Sequence, residues 1–110
     1  FLLKYLMNTE RLSDDQLSSI IDQAVTYRCA CPAQVAELIL KARDVYRYEV
    51  RCMKEENNLI ETHQTIAETV AATLTQYEDC LERVLEIEKW DRETLEMPEG
   101  LREKARLEPE

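Results

Sequence analysis

Gly100 is the only glycine among the 110 residues of the chain, where average usage would give about eight. Phosphate-binding loops, nucleophile elbows and tight β-hairpins need glycine at positions where another side chain would clash. The sequence therefore excludes nucleotide-binding α/β folds and turn-rich β folds. With 34% charged and 45% hydrophobic residues, it predicts an all-α protein with a single helical domain.

The net charge of −9 makes the surface repel nucleic acid phosphates, so we expect no nucleic acid partner. We expect no membrane contact, because no stretch approaches the roughly 20 apolar residues of a membrane span. Residues 1–6 are apolar but too few for a signal-peptide core, and residues 1–12 are expected to be a flexible N-terminal extension. We therefore expect a cytoplasmic protein whose four cysteines are thiols.

Residues 13–28 are predicted to form the first helix. Ser13 and Gln16 have the spacing of a capping box, and Asp14 and Asp15 fill the first turn between them. Apolar residues recur behind them at helical spacing, at Leu17, Ile20, Ile21, Ala24 and Val25.

Residues 32–56 are predicted to form the second helix, after a break at Cys29-Ala30-Cys31-Pro32. Proline disfavours the α conformation in the residue before it but suits the first position of a helix. A basic stripe lies beside the apolar face of this helix, at Arg43, Arg47, Arg51 and Lys54. We expect the stripe to form ion pairs with acidic residues of the third helix, such as Glu61 and Glu68, or of a second subunit. The alternative is docking of a protein partner.

Residues 58–90 are predicted to form the third helix, which reverses direction at Asn57-Asn58 because asparagine tolerates left-handed backbone angles. Since neither proline nor glycine stands there, one continuous long helix is the alternative. The apolar side chains alternate mostly by three and four, as in a coiled-coil seam, at Leu59, His63, Ile66, Val70, Leu74, Tyr77, Leu81, Val84 and Glu88, with Ala67 and Leu85 alongside.

Residues 91–110 are predicted to be an acidic C-terminal segment with a short helix from Pro98. Trp90 ends the third helix, and we expect it to pack against Met97, where Asp91 caps the intervening turn. An exposed, partner-binding Trp90 is the alternative.

The predicted architecture is an antiparallel helical bundle, with a short first helix against a long hairpin of the second and third helices. At 1.5 Å per residue, the first helix is about 24 Å long, whereas the others are about 37 and 50 Å long. The first helix therefore cannot cover the whole groove of the hairpin. We expect dimerisation to cover the remaining apolar seam, the alternative being cover by the terminal segments.

The cysteines and the only histidine are the candidates for a chemical site. In the predicted hairpin Cys80 lies about one turn from Cys31, with Cys29 nearby. Three interpretations of these cysteines stay open: structural residues, a redox-responsive thiol group, or a metal site. The C-x-C motif is less specific than the paired C-x-x-C motifs of zinc sites. Cys52 is level with His63, which we interpret as a hydrogen-bonded core histidine. If two copies pack through this seam, His63 faces its copy and protonation weakens the association.

No catalytic residue and no cofactor is predicted. A di-iron bundle needs two Glu-x-x-His pairs, and Ile60 stands three residues before the only histidine. A hydrolase would lack an oxyanion hole. The sequence therefore favours a non-enzymatic protein that acts through protein–protein contacts as an adaptor, regulator or assembly factor. Its candidate partner-binding residues are Arg43, Arg47, Arg51, Lys54 and Trp90. The alternative function is a thiol-redox or metal-responsive sensor based on Cys29, Cys31 and Cys80.

Overall fold

The computed structural model describes residues 11–27, 31–55 and 59–102. These residues form three long helices, α1 (Asp14–Thr26), α2 (Cys31–Glu55) and α3 (Ile60–Ile87), in a body that measures 56 × 26 × 18 Å. No strand occurs in these ranges, and the predicted all-α class is confirmed.

Helix α1 begins at the capping box that the sequence predicts. The backbone N–H of Gln16 donates to the Ser13 hydroxyl (3.1 Å), and the backbone N–H of Ser13 donates to the Gln16 side-chain oxygen (2.9 Å). The helix buries Leu17, Ile20 and Ala24 and packs against α2. Leu12 is also in the core, at 1% exposure, so the predicted flexible extension does not reach this far along the chain. Residues 1–10 of that extension lie outside the described ranges.

Helices α2 and α3 form the predicted antiparallel hairpin. Glu49, near the end of α2, contacts His63 near the start of α3, whereas Arg43 contacts Glu78 further along. The chain reverses between the end of α2 and the start of α3, so the two are not one continuous helix. The predicted turn residues 57–58 and the adjoining residue 56 lie outside the described ranges.

The core of the hairpin comes from one row of residues on each helix, and we call these rows the first seams. Each alternates by four and three residues, as in a coiled coil. They consist of Pro32, Ala36, Ile39, Arg43, Tyr46, Val50 and Met53 on α2, and of Ala67, Ala71, Leu74, Glu78, Leu81 and Leu85 on α3. The row predicted from the sequence shares Leu74 and Leu81 with the α3 first seam. Four other residues of the predicted row each stand one position before a first-seam residue and so form a neighbouring row: Ile66, Val70, Tyr77 and Val84.

Helix α3 ends in a Schellman motif built without glycine. Lys89 adopts a left-handed conformation with φ of 64°. The N–H of Trp90 donates to the carbonyl of Leu85, and the N–H of Lys89 donates to that of Glu86, which satisfies carbonyls that the helix end would otherwise leave without partners. The motif turns Trp90 back into the core, where it is 6% exposed.

Residues 91–98 then fold back against α1. The Asp91 carboxylate accepts hydrogen bonds from the N–H groups of Glu93 and Thr94, which is the predicted cap of this turn. The Gln23 side chain of α1 donates to the carbonyl of Leu95 (2.5 Å) and accepts from the N–H of Met97 (2.7 Å). Leu95 and Met97 are both buried. A short helical stretch over residues 99–102 ends the described part of the chain.

Candidate functional site

A second row of residues lies beside the first seam on each helix of the hairpin, and we call these rows the second seams. They also alternate by four and three, and most of their residues immediately precede a first-seam residue. They consist of Cys31, Val35, Leu38, Ala42, Val45, Glu49 and Cys52 on α2, and of Leu59, His63, Ile66, Val70, Thr73, Tyr77, Cys80, Val84 and Ile87 on α3. Each helix therefore has two adjacent rows with coiled-coil spacing.

The second seam of α2 points away from α1. A helix turns by about 100° per residue, so the side chains of three consecutive residues point in three different directions. Val45 belongs to the second seam, Tyr46 is buried in the core, and Arg47 forms an ion pair with Asp14 of α1. Around α2, the core therefore lies between the side of the second seam and the side of α1.

The second seam of α3 points to the same side. Tyr77 belongs to it, Glu78 is buried, and Asp79 forms an ion pair with Arg11. Arg11 stands three residues before the start of α1. Two antiparallel helices that face each other turn in opposite senses when both are viewed from the same end. The residue before a core residue therefore lies on the same side of the hairpin in both helices. Together the two second seams form one face opposite α1, which we call the second-seam face.

This face is largely apolar and partly exposed. Leu59, the N-cap residue that precedes α3, and Ile87, the last residue of α3, lie at its two ends and are 69% and 60% exposed, and Leu38 on α2 is 48% exposed. Val70 and Tyr77 between them are half-buried. Because α1 lies on the other side of the hairpin, none of the described helices packs across this face. Apolar patches of this kind mark interaction sites.

The second-seam face also has very few charges, although 34% of all residues are charged. Its α3 row contains no acidic, lysine or arginine residue, and its α2 row contains only Glu49. Other acidic residues of α3 lie on its remaining sides, at Glu61, Glu68, Asp79 and Glu86. The charge pattern therefore separates this face from the rest of the hairpin.

His63 is bonded across the hairpin within this face. Its Nδ1 lies 2.5 Å from Oε1 of Glu49, and the two side chains are 14% and 10% exposed. The Nε2 atom of His63 is buried and has no hydrogen-bond partner among the described residues. This arrangement agrees with the interpretation of His63 as a hydrogen-bonded core histidine.

The described cysteines all belong to the second seams. Cys31 and Cys80 are exposed, Cys52 is partly buried, and all three are free thiols. No group of three or more histidine, cysteine, aspartate or glutamate residues in the described ranges could hold a metal ion. Cys29 lies outside these ranges, so the metal or redox site of Cys29, Cys31 and Cys80 stays a prediction.

The basic stripe of α2 does not form one surface. Arg43 is a first-seam residue with 0% exposure, and its guanidinium donates to Glu78 (2.5 Å) and to Asp14 (2.8 Å). The predicted ion pairing with the third helix is present at Arg43, where Glu78 is the acidic residue in place of the expected Glu61 or Glu68. Arg47 is exposed and bonds to Asp14 (2.9 Å). Arg51 and Lys54 are also exposed, with Arg51 5.6 Å from the centre of the Tyr48 ring.

This cluster links α1 to the hairpin and shifts the pKa values of two of its carboxyl groups. Burial raises the pKa of Glu78, and its bonds to Arg43 and Arg11 oppose that shift. The hydrogen bond from Arg47 lowers the pKa of Asp14, with a further lowering from Arg43, while desolvation opposes both. Arg43 and Glu78 are enclosed by the fold, whereas the side chains of Asp14 and Arg47 are 45% and 42% exposed. The contacts tie α1 to the hairpin, so the role of the cluster is structural.

Trp90 is buried rather than exposed at a partner-binding surface. It belongs to the same core cluster as Met97, in agreement with the predicted packing, and its indole N–H donates to Glu88 (2.9 Å). With Arg43 and Trp90 enclosed, the exposed members of the predicted partner-binding set are Arg47, Arg51 and Lys54. Several residues of the second-seam face, among them Val70 and Tyr77, belong to the apolar seam that the sequence predicts on the third helix and that the first helix was expected to cover only in part.

In comparisons with known proteins, no family model, no curated protein and no solved structure matches this chain. None of the described helices combines the length and the apolar character needed to cross a membrane.

Proposed function

We propose that this chain is a non-enzymatic helical protein that acts through protein–protein contacts, as an adaptor, regulator or assembly factor, and that it works as a homodimer in the cytoplasm. The second-seam face is the observation that supports this proposal. Its apolar side chains recur at the spacing with which one helix packs against another. The free thiols Cys31, Cys52 and Cys80 fit a reducing compartment.

The length of the face and its position on two helices favour a helical partner over an extended peptide or a small molecule. An extended peptide binds through backbone hydrogen bonds to a sheet edge, and the described residues contain no strand. The face also spans the length of the hairpin, from Leu59 to Ile87 on α3. The exposed residues Arg47, Arg51 and Lys54 lie away from it, towards the α1 side, and are proposed as secondary contacts.

Affinity capture with three versions of the full chain tests the proposal. L38E places a charge on the second-seam face, whereas V25E makes the same kind of change at a 73% exposed position on α1. We expect wild type and V25E to retain the same stoichiometric protein and L38E to lose it, with the loss then measured as a weaker affinity for the purified partner. Equal retention by all three versions would contradict a role for this face.

A further inference from the structure

We infer that the occupant of the second-seam face is a second copy of this chain, with the two hairpins packed face to face as a four-helix bundle. The inference rests on the proposed function and specifies its interface. In such a bundle each helix contacts two neighbours through two adjacent rows of residues. Helices α2 and α3 each have two such rows. In the single copy the first rows form the hairpin core, whereas the second rows are only partly buried and contribute the Glu49–His63 contact.

The charge distribution favours a second copy as the occupant. Two chains that each have a net charge of −9 repel one another when their acidic surfaces approach. The second-seam face avoids this cost, because its only acidic side chain, Glu49, is 10% exposed and already contacts His63. A strongly basic or acidic partner would find no complementary charge on this face.

The size of the face matches a stable dimer. Helix α3 contains 28 residues, which gives a length of about 42 Å, and packed helices lie about 8–10 Å apart. A face of this length and two helices in width presents about 800 Å² per copy, which is the size of a standard protein–protein interface. Burial of that area would cover Leu38, Leu59 and Ile87, which are among the most exposed large apolar side chains of the described residues.

The accessibility of the thiols distinguishes the inferred interface from other surfaces. Cys31, Cys52 and Cys80 all lie in the second seams, and Cys31 and Cys80 are exposed in the single copy. Association through the face therefore covers thiols that the separate chain leaves accessible. A dimer that used another surface would leave them accessible.

Sedimentation equilibrium of the full chain, from about 1 to about 100 µM, tests the inference. We expect wild type to reach twice the 12.9 kDa chain mass. L38E should raise the dissociation constant of the dimer by about tenfold or more, while V25E leaves it unchanged. Circular dichroism checks that both variants keep the helical fold, and T73E, at a half-buried second-seam position on α3, replaces L38E if that variant does not fold.

Two results would overturn the inference, and they differ in what they mean. A wild-type monomer throughout the concentration range rules out a second copy as the occupant, and the capture experiment with L38E and V25E then decides whether the face binds another protein. A dimer that L38E and T73E weaken no more than V25E does would show that the copies associate through a different surface.

Discussion

The Arg43 side chain joins all three helices. It is fully buried on α2 and bonds to Glu78 of α3 and to Asp14 of α1. A buried ion pair adds little net stability over apolar residues of the same size, because both charges lose their hydration. Removal of one member is costly, however, since it leaves the other charge buried without its partner.

The pair should therefore behave non-additively when it is mutated. R43M is expected to lower the free energy of unfolding by about 3 kcal/mol or more, because it leaves Glu78 buried without its cation. R43M/E78L, which removes both charges, should recover most of that loss. Urea denaturation followed by circular dichroism measures both values. A double variant that is no more stable than R43M would contradict this account of the cluster.

Asp14 should make the stability depend on pH in the acid range. Its pKa is lowered below 3.8 in the fold by hydrogen bonds from Arg47 and Arg43, so the fold favours its ionised form. This contribution is complete above the unfolded-state pKa and is lost as the pH falls through the lower folded-state pKa.

The matched comparison is D14N. Thermal unfolding between about pH 5 and about pH 2 should show a steeper loss of midpoint temperature for wild type than for D14N. Parallel pH profiles for the two proteins would show that Asp14 is not the group responsible.

At the scale of the helices, local sequence signals predicted the architecture but not the rotation of α3. The capping box at Ser13 and the proline at Pro32 act within a few residues, so they can be recognised without knowledge of the fold. Burial on α3 depends on distant residues. Ala67 and Ala71 are buried because α2 lies close to them, and Glu78 is buried because Arg43 pairs with it.

Hydrophobicity alone therefore favoured a row on α3 that mixes residues of the two seams. Val70, Tyr77 and Val84 are more apolar than the alanines and the glutamate of the first seam, yet they lie on the second-seam face. Gln23 was missed for a related reason, because an amide on an amphipathic helix resembles a surface residue until the loop at Leu95 and Met97 is placed against it. The regular four-three spacing of Arg43 with Ile39 and Tyr46 was the available signal that this arginine is internal.

The end of α3 offers a test at the same scale. Lys89 has a left-handed backbone at the position that glycine usually occupies after a helix. K89G should raise the free energy of unfolding by about 0.5–1 kcal/mol, because glycine adopts this conformation without steric cost. The matched control is R83G, in the exposed interior of α3, which should lower it by about 1 kcal/mol. Destabilisation by both substitutions would contradict the Schellman motif as described.

The whole molecule is asymmetric about its hairpin. On one side, α1 is held by the cluster around Arg43 and by Gln23, and most of the polar contacts between helices lie there. On the other side is the second-seam face, where Glu49 and His63 form the cross-hairpin contact. This asymmetry supports the central claim, that a second copy covers the side with few charges.

The rate at which Cys80 reacts with a small disulfide reagent tests that claim most directly. The protein used is a variant in which Cys29, Cys31 and Cys52 are changed to serine, so that Cys80 is the only thiol, with L38E added to the same background as the control. If two copies pack through the second-seam face, the rate for Cys80 falls as the protein concentration passes through the dissociation constant of the dimer, while the rate in the L38E control falls only at correspondingly higher concentration. A Cys80 rate that is the same in dilute and in concentrated protein would contradict the claim.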